Sequence, residues 1–144
     1  MQIRRADIFD TKEISAIENA AFAYPWTEGM LYESLNDKKV FSLAAEDDDG
    51  RLCAYCMTLL LPPYEGCVLS IATHPDFRRK GLAREMLTET FAEAEKLGIK
   101  ELTLEVRVGN TAAISLYESL GFKNEGIRKN YYEDGEDAVI MWRR

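Results

Sequence analysis

The stretch Ile71-Ala72-Thr73-His74-Pro75-Asp76-Phe77-Arg78-Arg79-Lys80-Gly81-Leu82-Ala83-Arg84 joins the end of a strand, a basic loop and the start of a helix. Upstream, Gly66 to Thr73 reads as a strand, with Val68, Leu69, Ile71 and Ala72 as its apolar residues. Downstream, a helix is expected from about Gly81 to Leu97, and Gly98 supplies its stop. Glu101 to Val106 reads as the next strand. A strand-helix-strand unit of this kind, residues 66 to 106, predicts a right-handed parallel crossover. The free N–H groups of a helix start point outward and favour an anion. Gly81 allows close approach to the backbone, and Ala83 is small enough to do likewise. Arg79, Lys80 and Arg84 add positive charge. Together these suit a pyrophosphate. Neither G-x-x-x-x-G-K-[ST] nor G-x-G-x-x-G is present, so the loop is not a P-loop or a dinucleotide fingerprint. These residues do not say which pyrophosphate, and a basic loop capping an ordinary helix has the same composition.

Working outward, Met1 to Ala6 reads as a first strand. Asp10 followed by Glu13 predicts a capping box, with a helix running through Ile14, Ile17 and Ala21 until Pro25. Thr27 is placed to cap a second short helix through Met30, Leu31 and Leu35. Val40 to Glu46 and Leu52 to Leu60 read as strands joined at Asp47-Asp48-Asp49-Gly50, and Pro62-Pro63 ends the second. Asn110 opens a later helix that Gly121 closes. Two last strands are expected near Phe122 to Tyr132 and Asp137 to Trp142, with Glu133-Asp134-Gly135 as a hairpin turn. The order β-α-α-β-β-β-α-β-α-β-β predicts one α/β (α+β) domain over 1–144, a mixed sheet flanked by helices.

The bulk numbers narrow the function. The chain has 144 residues, a common size for one domain. Its net charge of -7 argues against DNA or RNA as a partner, because such binders carry a basic face. No apolar run approaches the ~20 residues of a membrane span. The start Met1-Gln2-Ile3-Arg4-Arg5 argues against a secretory leader, so a cytoplasmic protein without membrane contact is expected. A monomer is expected. Cys53, Cys56 and Cys67 do not make a disulfide framework. Cys53 and Cys56 are three apart on a strand, so simple alternation sends their sulfurs to opposite faces. His74 is the only histidine, and no metal is expected.

Two motifs resemble those of the GNAT superfamily of acetyl-CoA-dependent N-acetyltransferases. Arg78-Arg79-Lys80-Gly81-Leu82-Ala83 matches the Q/R-x-x-G-x-G/A signature. Asn110-Thr111-Ala112-Ala113-Ile114-Ser115-Leu116-Tyr117-Glu118-Ser119-Leu120-Gly121-Phe122 matches N-x-x-A-x-x-L-Y-x-x-x-G-F. Within that superfamily the chain most resembles the RimI type, the bacterial ribosomal-protein-alanine N-acetyltransferases. The matches are Leu104-Glu105-Val106-Arg107, Tyr117, and Asn130-Tyr131-Tyr132 followed by Gly135-Glu136-Asp137-Ala138. Ala83 stands where glycine is commoner, and Ser70 where asparagine is frequent, which bears on acceptor positioning.

The resemblance implies a mostly antiparallel sheet with acetyl-CoA as co-substrate. It also implies a protein N-terminus as acceptor, expected to be the N-terminal alanine of a small-subunit ribosomal protein. Cofactor contacts are implied for Ile71, Ala72, Thr73, Arg78, Arg79, Lys80, Gly81, Leu82, Ala83, Arg84 and Asn110. In the family the strand holding Ser70-Ile71-Ala72-Thr73 splays from its neighbour to open a slot for the acyl group. Glu105 is the implied base and Tyr117 the implied acid toward the leaving thiolate. Alternation alone puts Glu105 with Thr103 and Arg107 on one strand face, where, without the resemblance, an ordinary carboxylate paired to Arg107 or a lysine is the favoured reading. Tyr117 by itself reads as a core aromatic. Tyr24, Trp26, Tyr131 and Tyr132 are candidate acceptor aromatics, and Glu28, Glu133, Asp134 and Glu136 candidate acids for a basic peptide. A GNAT enzyme acting on lysine or a small amine, and a non-enzymatic acetyl-CoA sensor, are the competing readings.

Overall fold

The computed structural model describes residues 1–144. Its strands are β1 (Gln2–Arg5), β2 (Val40–Glu46), β3 (Leu52–Leu61), β4 (Glu65–Thr73), β5 (Leu102–Arg107), β6 (Lys123–Arg128) and β7 (Ala138–Arg143). The helices are α1 (Thr11–Ala21), α2 (Glu28–Asn36), α3 (Leu82–Lys96) and α4 (Thr111–Ser119). The strands form one sheet in the order β1-β2-β3-β4-β5-β7-β6. Every neighbouring pair is antiparallel except β4–β5, which is parallel through the α3 crossover. The sheet is therefore mixed and mostly antiparallel, as the resemblance implies. No helix is long and apolar enough to cross a membrane.

Each face of the sheet buries its own apolar cluster. Ile14 and Ile17 of α1 and Leu31 of α2 pack on Val40, Ala44, Tyr55, Met57 and Ala72. On the other face Leu82, Met86, Leu87 and Ala94 of α3, with Tyr117 of α4, pack on Leu43, Cys56, Leu102, Leu104, Val106, Val139 and Met141. The apolar stripes of the helices supply the burial that holds the layers together.

Three local expectations are corrected. Asp10 does not cap α1 with its side chain. Its carboxylate instead accepts from the Asp7 amide at 2.9 Å and takes a two-pronged contact from Arg4 at 2.9 and 3.0 Å. The capping box is Asp7 with Asp10, on the 3-10 turn Ile8–Asp10, while Glu13 reaches the Leu52 amide at 3.3 Å. The first of the last two strands is shorter than alternation predicts, ending at Arg128, while the second keeps its expected length, shifted by one residue to Ala138–Arg143. The turn Tyr132–Gly135 sits within a longer connection, closed by a Gly135 to Tyr132 backbone bond of 2.9 Å. Cys53 and Cys56 share one cluster rather than facing opposite ways. A bulge makes Cys53 the extra residue between Leu52 and Ala54, and an extra residue resets the alternation.

Candidate active site

The anion-binding half is built at the start of α3. Gly81 is its N-cap at φ 77°, in the left-handed region, and no side chain caps the helix. A methyl group added at Gly81 would meet nothing within 4 Å, so the glycine is needed for its backbone angle and the open space is free for a ligand. The first helical bond runs from Glu85 to Gly81, leaving the amides of Leu82, Ala83 and Arg84 without intrahelical partners. Arg78, Arg79 and Lys80 are exposed, and Arg79 also has a positive φ of 65°. None of Arg78, Arg79, Lys80 and Arg84 takes part in the chain's ion pairs. Arg84 is turned toward α4, donating to Ser119 at 2.8 Å, and Leu82 is a core residue whose backbone alone faces this site.

From this loop a slot runs along the sheet. β4 and β5 pair only at Gly66↔Leu102 and Cys67↔Thr103, and beyond Cys67 the two strands part. The edge of β4 from Val68 to Thr73, which carries Ile71, Ala72 and Thr73, is left unpaired on its β5 side. On its β3 side, β4 carries a bulge at Leu69, between Val68↔Thr58 and Ser70↔Met57. The bulge turns both Leu69 and Ser70 toward α1.

Glu105 lies on β5 beside the slot, on the face away from Leu104 and Val106. Its Oε2 is buried and accepts no hydrogen bond, and the Arg128 guanidinium lies 3.6 Å from it. The Tyr131 phenol lies against this carboxylate; burial first, and Glu105 second, hold its pKa above the usual value. Arg107 does not pair with Glu105. It binds Asp134 and Glu136 at 2.9 Å and stacks on the Tyr132 ring at 4.1 Å. Its guanidinium also lies 5.9 Å from the Tyr24 ring, so it joins the α1–α2 loop to the β6–β7 connection. Tyr24 and Tyr131 are half exposed at this mouth. Of the candidate acids, Asp134 and Glu136 hold Arg107, while Glu28 and Glu133 are exposed.

Tyr117 sits on α4, on the opposite face of the sheet, 7% exposed and edge-on to Phe122. Burial, then the neighbourhood of Cys56 and Tyr132, raises its pKa well above that of a free phenol. Tyr132 lies close enough to feel Glu105 and to influence Tyr117 electrostatically. Its own hydroxyl is pushed up to about 12 by burial, with Arg107 lowering and Glu105 raising it. The Tyr131 and Tyr132 rings meet edge to face at 5.0 Å. Asn110 caps α4, accepting from the Ala113 amide at 3.2 Å.

Two features escaped the sequence reading. One is Arg107 as the organiser of the mouth. The other is Glu18, 2% exposed on the inner face of α1. A signal for it existed: Ile14, Ile17, Glu18 and Ala21 follow the i, i+3, i+4, i+7 stripe, which places one charge on an apolar face.

The chain is similar to known proteins over most of its length. The model of the Acetyltransferase (GNAT) family matches residues 11–122. The ribosomal protein bS18-alanine N-acetyltransferase of Salmonella typhimurium is 39% identical over 140 residues, spanning 93% of this chain and 93% of that one. Its Escherichia coli counterpart is 42% identical over 129 residues, spanning 87% and 84%. The crystal structure of the ribosomal-protein-S18-alanine N-acetyltransferase from Escherichia coli superposes with a TM-score of 0.91 at 37% identity, covering 99% of this chain and 92% of that one.

Proposed function

The chain belongs to the acetyltransferase (GNAT) family, and on that footing we propose that it moves the acetyl group of acetyl-CoA onto the N-terminal amine of a protein beginning with alanine, ribosomal protein bS18 being the expected acceptor. The observation that carries the reading is the short β4–β5 pairing. It leaves a slot with an anion site at one end and a buried carboxylate oxygen beside it. Acetyl-CoA supplies the activated thioester carbonyl. The uncapped amides of Leu82, Ala83 and Arg84, with Arg78, Arg79 and Lys80, fit its pyrophosphate. The unpaired edge at Ile71, Ala72 and Thr73 fits a pantetheine amide chain, which pairs as a strand would, and Asn110 stands ready to add a side-chain contact. An N–H on this free edge stabilises negative charge developing on the carbonyl oxygen.

The amine must attack uncharged. An α-amino group has a pKa of about 8, against about 10.4 for lysine, so an N-terminus needs the weaker base. Glu105 fills that role, directly or through one water, because its Oε2 accepts no hydrogen bond from the chain and is free to take one from the amine. Tyr117 is protonated at neutral pH, as an ordinary phenol of pKa about 10 is, burial raises its pKa further, and it gives its proton to the departing sulfur. Tyr24, Tyr131 and Tyr132 wall the entry for the acceptor. The test is acetyl transfer to a synthetic peptide beginning Ala-Arg-Tyr, read by mass spectrometry beside the N-blocked peptide. Modification of the free N-terminus alone supports the reading. Binding of acetyl-CoA without transfer moves the acceptor to another amine.

A further inference from the structure

Glu18 and Asp10 are the two carboxylates of the chain that are less than a tenth exposed. Asp10 has Arg4 as its cation, whereas Glu18 has none. Its partners are neutral donors from three separate segments. The Trp26 amide, in the loop between α1 and α2, donates to Oε1 at 3.0 Å. The Tyr55 hydroxyl, on β3, donates to Oε2. The Ser70 hydroxyl, on the β4 bulge, lies 3.5 Å from the same oxygen and 2.8 Å from the Tyr55 hydroxyl. Burial raises the Glu18 pKa, and the Trp26 amide and Ser70 pull it partly back. A buried carboxylate without a cation is costly, and an apolar residue here would simply extend the Ile14–Ile17–Leu31 cluster. Core packing is therefore no reason for a glutamate at this place.

The positions of its partners supply one. Trp26 is two residues from Tyr24, the wall that faces Arg107 across the mouth. Ser70 directly precedes Ile71 on the unpaired edge of β4. We propose that Glu18 is a positioning residue for the acceptor: its two oxygens tie the Tyr24–Trp26 loop to the β4 bulge and so set the width of the entry above Glu105. The proposal rests on the acceptor entering between Tyr24 and Tyr132, as under the reading above. The pyrophosphate loop lies at the start of α3, on the other face of the sheet, and stays outside this link.

The experiment measures steady-state kinetics of the full chain and its Glu18 variants, with hydrogen exchange at the Trp26 amide as a second readout. Misplacing reacting groups by about 1 Å costs up to ~100-fold, so Glu18→Leu is expected to raise the peptide KM by about tenfold or more while the acetyl-CoA KM stays within about twofold. Glu18→Gln keeps an oxygen for Trp26 and offers an amide to Tyr55 and Ser70, so it is expected to restore the peptide KM. Exchange at the Trp26 amide is expected to speed up in Glu18→Leu and not in Glu18→Gln. An unchanged peptide KM, or equal rises in both KM values, overturns the proposal. If Glu18→Leu does not fold, Glu18→Asp is read the same way, since a side chain one methylene shorter cannot span both partners. If the wild type fails to acetylate the peptide, the acceptor reading has failed by itself. The link is then judged by Trp26 exchange, and unchanged exchange in the variant refutes it.

Discussion

Replacing Tyr117 with phenylalanine removes one oxygen from a ring that otherwise stays in place. The ring packs edge-on to Phe122 with centroids 5.9 Å apart, and phenylalanine keeps that contact. Stability is expected to change by about 1 kcal/mol or less, the usual net worth of one hydroxyl. Activity is expected to change far more. The departing thiol resembles cysteine, with a pKa of about 8.5. Burial holds Tyr117 above a free phenol's value, so proton transfer to a fully formed thiolate runs uphill. The acid therefore helps while the C–S bond is breaking, toward the lower end of the ~10²–10⁴ range of general acids. A loss of about 10²–10³ in kcat follows, or roughly 3–4 kcal/mol of transition-state stabilisation. The raised pKa also sets the pH dependence. An acid works in its protonated form, so Tyr117 contributes no descending limb to kcat below about pH 10. Thiol release at saturating peptide gives kcat, and calorimetry gives acetyl-CoA affinity. A kcat within about threefold of wild type, equivalent to under ~1 kcal/mol, refutes the acid assignment. A parallel loss of acetyl-CoA affinity refutes it as well and makes Tyr117 a packing residue.

Glu105→Gln is expected to lower kcat/KM most below about pH 8, where the α-amine is protonated, and a loss that does not vary with pH in the rate profile makes Glu105 a positioning group instead. Gly81→Ala meets no atom but must hold a left-handed angle, so it is expected to cost about 1–2 kcal/mol in thermal unfolding and to raise the acetyl-CoA KM. Asp10→Asn is expected to destabilise the fold by about 1–2 kcal/mol at neutral pH, discounted because Arg4 is partly exposed. The Arg4 guanidinium holds the Asp10 pKa below its usual value, so this contribution is complete above about pH 4 and is lost as pH falls through the lowered pKa. Chemical denaturation of both proteins from neutral to acidic pH reads it directly; a difference that fails to shrink in acid contradicts the linkage.

Local chemistry was legible without a fold. Asn110 and Thr27 cap helices because their side-chain oxygens serve amides three residues on, a preference written in adjacent sequence. Gly81 could be placed at the head of α3, and Glu105 on the strand face away from Leu104. The failures share a cause. A bulge adds one residue to one strand, and alternation counted along that strand alone is then out of step. Cys53 misled for this reason, and Ser70 reaches Glu18 for the same reason. Asp10 misled because Arg4, from a strand paired to β2, competed for its carboxylate.

By itself, then, the sequence determined the order of elements, the caps of α2 and α4, the basic loop before α3 and the two motifs that resemble the superfamily. These depend on residues within a few positions of one another. Only the tertiary structure decided that β4 and β5 part after Cys67, that Arg107 gathers Tyr24 and Tyr132, and that Glu18 joins a loop to a bulge. Those contacts join segments far apart in the chain, and their geometry depends on strand register and on the docking of helices, which no local spacing encodes.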